Sequence, residues 1–400
     1  MTTAQDLLSL RWGKPVNKTI TGQSFSLGPQ SLKITGQNRL RLLSAPMTGL
    51  FSDGLIHGAG NLALHVDVSL VSDGPALLSS GAAINNHGLM TTGSLLIKAQ
   101  ITGSYNSSTV GVANHGIMRN VQSIQTEDKV DGIGLLNTGI LSGLNRNGYK
   151  SLITGKAYGL NKFGIGVLNR GTMETGGLLK GSGVTGIVNE GSINFEGAAE
   201  GVNKITGTGF GLGMNNAGTI KGSMYSDILT GIGGNWPQGA TLGIRNSGQI
   251  NLADGNDRIK ARSKTGIGII IMNPKPPFNF SPELINTGTI NMGEGNDRID
   301  VAENGISGAP GQMGRIEMGG GNDVFLGFGD DQIISGGAGI DTLRLPAGTY
   351  TFAPSTIPAP GAMEVSSVGA SLLFTEFERV GLLGATKTIP FPVAGGTLTF

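Results

Sequence analysis

The chain has 400 residues, of which 70 are glycine and none cysteine, with 38% hydrophobic residues and a formal net charge of +1. Glycine far exceeds its ordinary share of roughly 7%, yet the absence of a three-residue glycine period excludes collagen and the hydrophobic content excludes a disordered chain. Without cysteine, any metal must be held by oxygen or imidazole, and a near-neutral chain with no basic run lacks the footprint of a nucleic-acid binder.

Residues 1–80 read as an N-terminal cap followed by irregular first coils. Thr2 to Leu10 is the stretch with helical periodicity. The opening MTTAQDLLSLRWGKPVNK has no charged run followed by an apolar core and a small-residue cleavage site, so an ordinary cleaved signal peptide is not expected. The longest apolar stretch, around Ile267 to Met272, falls far short of the ~20 residues that a membrane-spanning helix needs. In NLALHVDVSL, Leu62, Leu64, Val66, Val68 and Leu70 alternate with more polar residues, which predicts a strand with one buried face.

Residues 81–250 are organised by a unit reading aliphatic-x-Asn-x-Gly-x-aliphatic. Across the chain its asparagines are Asn86, Asn114, Asn137, Asn169, Asn189, Asn216, Asn246 and Asn286, each followed two residues later by glycine. The spacings, between 20 and 40 residues, suit one coil of a wide β-helix with loop insertions. Alternate side chains of a strand face opposite sides. Ile165, Val167 and Asn169 share one parity, as do Ile133, Leu135 and Asn137, so the asparagines belong to the inward, aliphatic face. A lone buried amide costs a few kcal/mol, whereas amides stacked at about 4.8 Å bond to one another and to the turn backbone. The next aliphatic residue, from Met90 and Met118 through Ile290, opens the following strand. The pattern resembles the parallel β-helices of pectate-lyase-like proteins and of bacterial adhesin passengers, which implies a right-handed coil with an internal asparagine ladder.

Residues 251–345 carry acidic turns. NSGQINLADGND, NTGTINMGEGND and QMGRIEMGGGND align over twelve residues, placing Asp257, Asp297 and Asp323 at one position. Carboxylates stacked about 4.8 Å apart repel by about 3.5 kcal/mol at an effective dielectric near 20. A cation between them reverses the sign. Pairing of Asp257 and Asp297 with the arginines that follow, Arg258 and Arg298, is the metal-free alternative. Further on, GGGNDVFLGFGDDQIISGGAGIDTLRL resembles the GGxGxDxUx nonapeptide of RTX repeats. That resemblance implies Ca2+ held by Asp323, Asp331 and Asp341, with Gly321, Gly329 and Gly339 in the turns and Asn322 beside them. The aspartate spacing, 8 then 10 rather than 9, departs from the family pattern.

Residues 346–400 form a C-terminal β segment, a candidate secretion or assembly region. Pro-rich APSTIPAPGAM separates two β-like runs here. The expected fold is all-β, a right-handed parallel β-helix (β-solenoid) with a short RTX-like β-roll near the C-terminus. RTX-type proteins leave bacteria through a type I transporter, which implies an extracellular or cell-surface location. No HExxH, GxSxG or phosphate loop is present, and the charges are scattered, so the chain is not read as an enzyme. His87 and His115 share the variable position of neighbouring Asn-x-Gly units, an exposed turn. Trp236 reads as a packing residue in a loop. The expected role is a calcium-stabilised structural surface protein that forms a homo-oligomer or filament through its solenoid ends. The alternatives are an adhesin or module binding surface polysaccharide, and a polysaccharide lyase or hydrolase.

Overall fold

The computed structural model describes residues 19–20, 24–27, 32–41, 47–52, 55–58, 61–71, 80–103, 108–129, 132–143, 151–158, 164–195, 201–234, 241–263, 284–308, 313–355, 361–367, 369–392 and 395–400. The expected helix at Thr2 to Leu10, the Trp236 loop and the apolar stretch Ile267 to Met272 lie outside them. Among the described residues there is no helix, and almost every strand pairing is parallel, as in a β-solenoid. The chain forms two compact units, Met1–Glu200 and Gly201–Phe400.

In the first unit three ladders of parallel pairs repeat coil after coil. Asn86, Asn114, Asn137, Asn169 and Asn189 fall in direct register at the end of one ladder. All five are fully buried. Each Nδ2 donates to the next Oδ1, at 2.9 Å from Asn86 to Asn114, 2.8 Å to Asn137, 2.9 Å to Asn169 and 2.8 Å to Asn189. A second donation goes to the carbonyl just past the following turn, as from Asn114 to Ile140 at 3.0 Å. The backbone carbonyl of each asparagine accepts from both residues of the next coil's turn, as His115 and Gly116 donate to Asn86. Asparagine fits this corner because its amide carries both a donor and an acceptor. Past the turn, Met90, Met118, Leu141, Met173 and Ile193 stack into a buried column. On the third ladder Ile97, Ile124, Ile153 and Leu179 make another. Each fully buried side chain of this size contributes about 1.5–3 kcal/mol.

The second unit repeats the scheme. Asn216 donates to Asn246 at 2.8 Å and Asn246 to Asn286 at 2.9 Å. In the next coil Gly314 lies against the Asn286 amide, and Gln332 of the coil after it reaches across, its Oε1 accepting from Asn286 Nδ2 at 3.0 Å. Ile220, Ile250, Ile290, Ile316, Ile334 and Phe374 form one buried column. Ile205, Leu229, Ile259, Ile299, Phe325, Leu343 and Val380 form the other.

Glycine has a second use besides the turns. A Cβ on Gly155 would collide with the Gly166 carbonyl, one on Gly181 with Gly186, one on Gly207 with Gly213 and one on Gly231 with Gly243. In these coils two strands approach backbone to backbone, which only glycine permits.

After Leu345 the pairing changes. Ala370–Thr375 and Arg379–Leu382 still stack in parallel on the preceding coil. Their other edges are covered by the antiparallel strands Met363–Ser367 and Ile389–Pro390. Thr349–Pro354 pairs antiparallel with both Met363–Ser367 and Gly396–Thr399. Phe325, Phe374, Phe377, Phe391 and Phe352 are joined by ring contacts of 5.4–6.3 Å. The sequence gives weak cap signals here, yet the last coil is covered along both strands.

Candidate metal site

Within the second unit the acidic turns stack at one corner. Each turn has two positions of positive φ with one residue between them: Ala253 (66°) and Gly255 (132°), Gly293 (96°) and Gly295 (140°), Gly319 (106°) and Gly321 (131°), Gly337 (98°) and Gly339 (141°). A Cβ at Gly295 or Gly321 would also run into the carbonyl of the matching glycine one coil earlier. Glycine is required twice over at these two positions.

The aspartates that close these turns form a continuous row. The backbone N–H of Asp227 donates to Asp257 Oδ1 at 2.7 Å, Asp257 to Asp297 at 2.7 Å, Asp297 to Asp323 at 2.8 Å and Asp323 to Asp341 at 2.8 Å. Asp341 donates in turn to Glu378 Oε2 at 2.7 Å. The neighbouring asparagines clasp the coils in the opposite direction: Asn296 N–H donates to Asn256 Oδ1 at 2.8 Å, and Asn322 N–H to Asn296 Oδ1 at 2.7 Å.

Only one oxygen of each aspartate is engaged this way. The Oδ2 atoms of Asp257, Asp297, Asp323 and Asp341 are buried without a hydrogen-bond partner, on side chains that are 0–1% exposed. Burial raises the Asp257 carboxyl to about 9, with Asp227, Asp297 and Asp254 adding like charge. Burial likewise lifts Asp297 to about 7 and Asp323 and Asp227 each to about 6, and it raises Asp341, where Glu378 and Glu376 add to the effect. The backbone N–H donors oppose the shift without cancelling it. Asp254 and Glu294 stand outside the row, bridged in register on the exposed side of the turns.

Asp257, Asp297, Asp323 and Asp341 are thus brought together, with Gly321, Gly339 and Asn322 in their turns. Asp331 and Gly329 are not. One coil from Asp323 to Asp341 takes 18 residues, so Asp331, eight residues on, reaches the opposite corner, beside Gln332 of the asparagine ladder. Gly329 lies in the strand Val324–Asp330, against the Ile306 carbonyl, and has no positive φ. Arg258 and Arg298 pair with Asp300 and not with Asp257 and Asp297. Two members of the row were not read from the sequence. Asp227 follows Ser-Met-Tyr-Ser with no glycine, and Glu378 fills the position with a longer side chain. The signal for Asp227 was its distance of 30 residues from Asp257, equal to that from Asn216 to Asn246.

The donor set is oxygen alone. Among the described residues no three His, Asp or Glu side chains converge on one point. A cation here would have to sit between successive turns, among stacked carboxylates and turn carbonyls, rather than inside a side-chain cage. The unpartnered Oδ2 atoms fit such an ion. His87 and His115 stack at the asparagine corner of the first unit with ring centroids 4.6 Å apart, and His115 Nδ1 lies 2.7 Å from Thr138 Oγ1. Both are exposed. No helix among the described residues is long and apolar enough to cross a membrane. The chain matches no protein-family model, no curated protein and no solved structure.

Proposed function

We propose that this chain is a secreted, calcium-stabilised structural protein of a cell surface, a right-handed parallel β-helix whose last coils form an RTX-like β-roll. It works through shape and self-association into a filament or surface layer rather than through catalysis. The observation that carries the reading is the row of buried carboxylates with an unpartnered oxygen on four successive coils. Hard oxygen donors suit Ca2+. Asp257, Asp297, Asp323 and Asp341 would hold the ions with carbonyl oxygens of the glycine turns, and Asp227 and Glu378 end the row. Bound calcium supplies the positive charge that stacked carboxylates lack.

A ligand that binds only the folded state stabilises it by RT ln(1 + [L]/Kd), about 2.7 kcal/mol at a hundredfold excess over Kd. In calcium-poor cytoplasm the row repels and the chain stays competent for export; outside, calcium closes the coils. For self-association, the strand Gly396–Thr399 pairs only with Thr349–Pro354 among the described residues. Its outer backbone groups suit pairing with a second copy.

The test is thermal unfolding with parallel negative-stain microscopy, in millimolar calcium and in chelator. The reading expects a higher Tm and ordered fibres or sheets with calcium. An unchanged Tm removes the calcium role, and monodisperse particles in both buffers remove the assembly role.

A further inference from the structure

Away from the acidic row, the outward face of the strands Arg258–Ser263 and Arg298–Ser307 carries the opposite charge. The register sets Arg258 directly against Arg298 and Lys260 directly against Asp300. Like charges opposite one another on neighbouring strands repel. Asp300, only 4% exposed, holds the group together. It takes Arg262 Nη2 at 2.8 Å on one oxygen, and Arg258 Nη2 at 3.5 Å and Arg298 Nη2 at 3.6 Å on the other. Burial alone would raise its pKa, but Arg262, with Arg298, holds it below the usual carboxylate range.

One carboxylate does not balance the cations around it. With Arg262 set aside for its further interactions, Arg258, Lys260 and Arg298 against Asp300 leave a surplus of 3 − 1 = 2 positive charges among these described residues. The residues of the adjoining strands in register with this face are uncharged: Ile228, Thr230 and Ile232 on one side and Val324 and Leu326 on the other. The Nε atoms of Arg258 and Arg298 are enclosed without a hydrogen-bond partner, while both side chains remain 41% exposed. Guanidinium groups fixed by a buried anchor, one strand spacing apart, are suited to planar oxyanions in a row.

We propose that Arg258, Lys260 and Arg298, oriented by Asp300, form a docking site for the sulfate or carboxylate groups of an acidic polysaccharide. The outward residues of the strands Asp227–Gly233, Arg258–Ser263 and Arg298–Ser307 named above include no aromatic ring, so the base-stacking platform of a single-strand nucleic-acid binder is missing. Three cations are also fewer than the 6–10 phosphate contacts of a typical duplex binder.

The experiment measures binding of the full chain, in constant saturating calcium, to immobilised dextran sulfate and to uncharged dextran, at low and high ionic strength. Binding to dextran sulfate alone, weakened by salt and by added inorganic sulfate, is expected. The double variant Arg258→Gln/Arg298→Gln should weaken it by about tenfold or more. Lys260→Gln, which leaves the guanidinium contacts of Asp300 in place, should weaken it less, and Arg170→Gln in the first unit should leave it unchanged. Equal binding to uncharged dextran, absence of binding by the unaltered protein, or variants that bind as the unaltered protein does would overturn the proposal. Binding of duplex DNA as tight as that of dextran sulfate, lost in the same variants, would overturn the choice of a polysaccharide. Calcium-dependent melting reads the acidic row separately, so failure of one site is distinguishable from failure of the other.

Discussion

Asn169 sits mid-ladder, receiving a hydrogen bond from Asn137 and giving one to Asn189. Asn169→Ala removes an acceptor from one buried amide and a donor from the other, and an unsatisfied buried group costs about 1–3 kcal/mol. Urea denaturation should show a loss of about 2–4 kcal/mol. Gly295 makes a sharper contrast. At φ 140°, with a neighbouring carbonyl where Cβ would stand, it tolerates no side chain, so Gly295→Ala should cost at least about 3 kcal/mol. Gly361, at φ 74° with nothing within 4 Å of an added Cβ, should lose only about 1 kcal/mol as Gly361→Ala. The asparagines were legible because parity puts them on the aliphatic face and the fixed Asn-x-Gly spacing repeats. Glycines such as Gly155 and Gly207 were not. Nothing in their local sequence separates a glycine that turns the chain from one that meets another backbone.

Among the elements, the acidic corner has a definite pH signature. Asp227, Asp257, Asp297, Asp323 and Asp341 all have pKa values raised in the fold above the usual carboxylate value. The protonated row therefore favours the fold at low pH, and that contribution is lost as pH rises through about 6, 7 and 9. Calcium-free protein should melt at progressively lower temperature from pH 5 to pH 9; on the proposed binding of calcium to the deprotonated carboxylates, the slope should flatten when calcium is added. Asp323→Asn separates charge from shape, because the amide oxygen still accepts the Asp297 N–H. Its Tm in chelator should rise and its response to calcium shrink. A variant less stable than the unaltered protein in chelator would argue that repulsion does not govern the corner. The aligned Gly-Asn-Asp turns made most of this row readable. Asp331 was drawn in because a nine-residue repeat was laid over coils of 18 or more residues, so alternate aspartates fall on opposite corners. Glu378 was hidden because its reach, not its place in a motif, brings it to Asp341.

At the scale of the molecule, the parallel coils were legible from the recurrence of one corner, whereas the closure after Leu345 was not. Antiparallel strands there come from sequence without the Asn-x-Gly unit, and their register depends on which coil edge needs covering. Truncation after Leu345 removes the strands Ala370–Thr375 and Arg379–Leu382 and should bare the coil edges they cover, together with Phe325, which loses Phe374; size-exclusion chromatography should then show aggregation that the full chain resists. The glycine pairs carry a different consequence. Where Gly155 backs onto Gly166 and Gly207 onto Gly213, the sheets meet without an intervening layer of side chains. Hydrostatic pressure unfolds proteins in proportion to the voids that unfolding eliminates, and backbone laid on backbone encloses few. These coils should be the last to yield in a high-pressure NMR titration, a barometric hardness that follows from the scant void left where the two backbones touch.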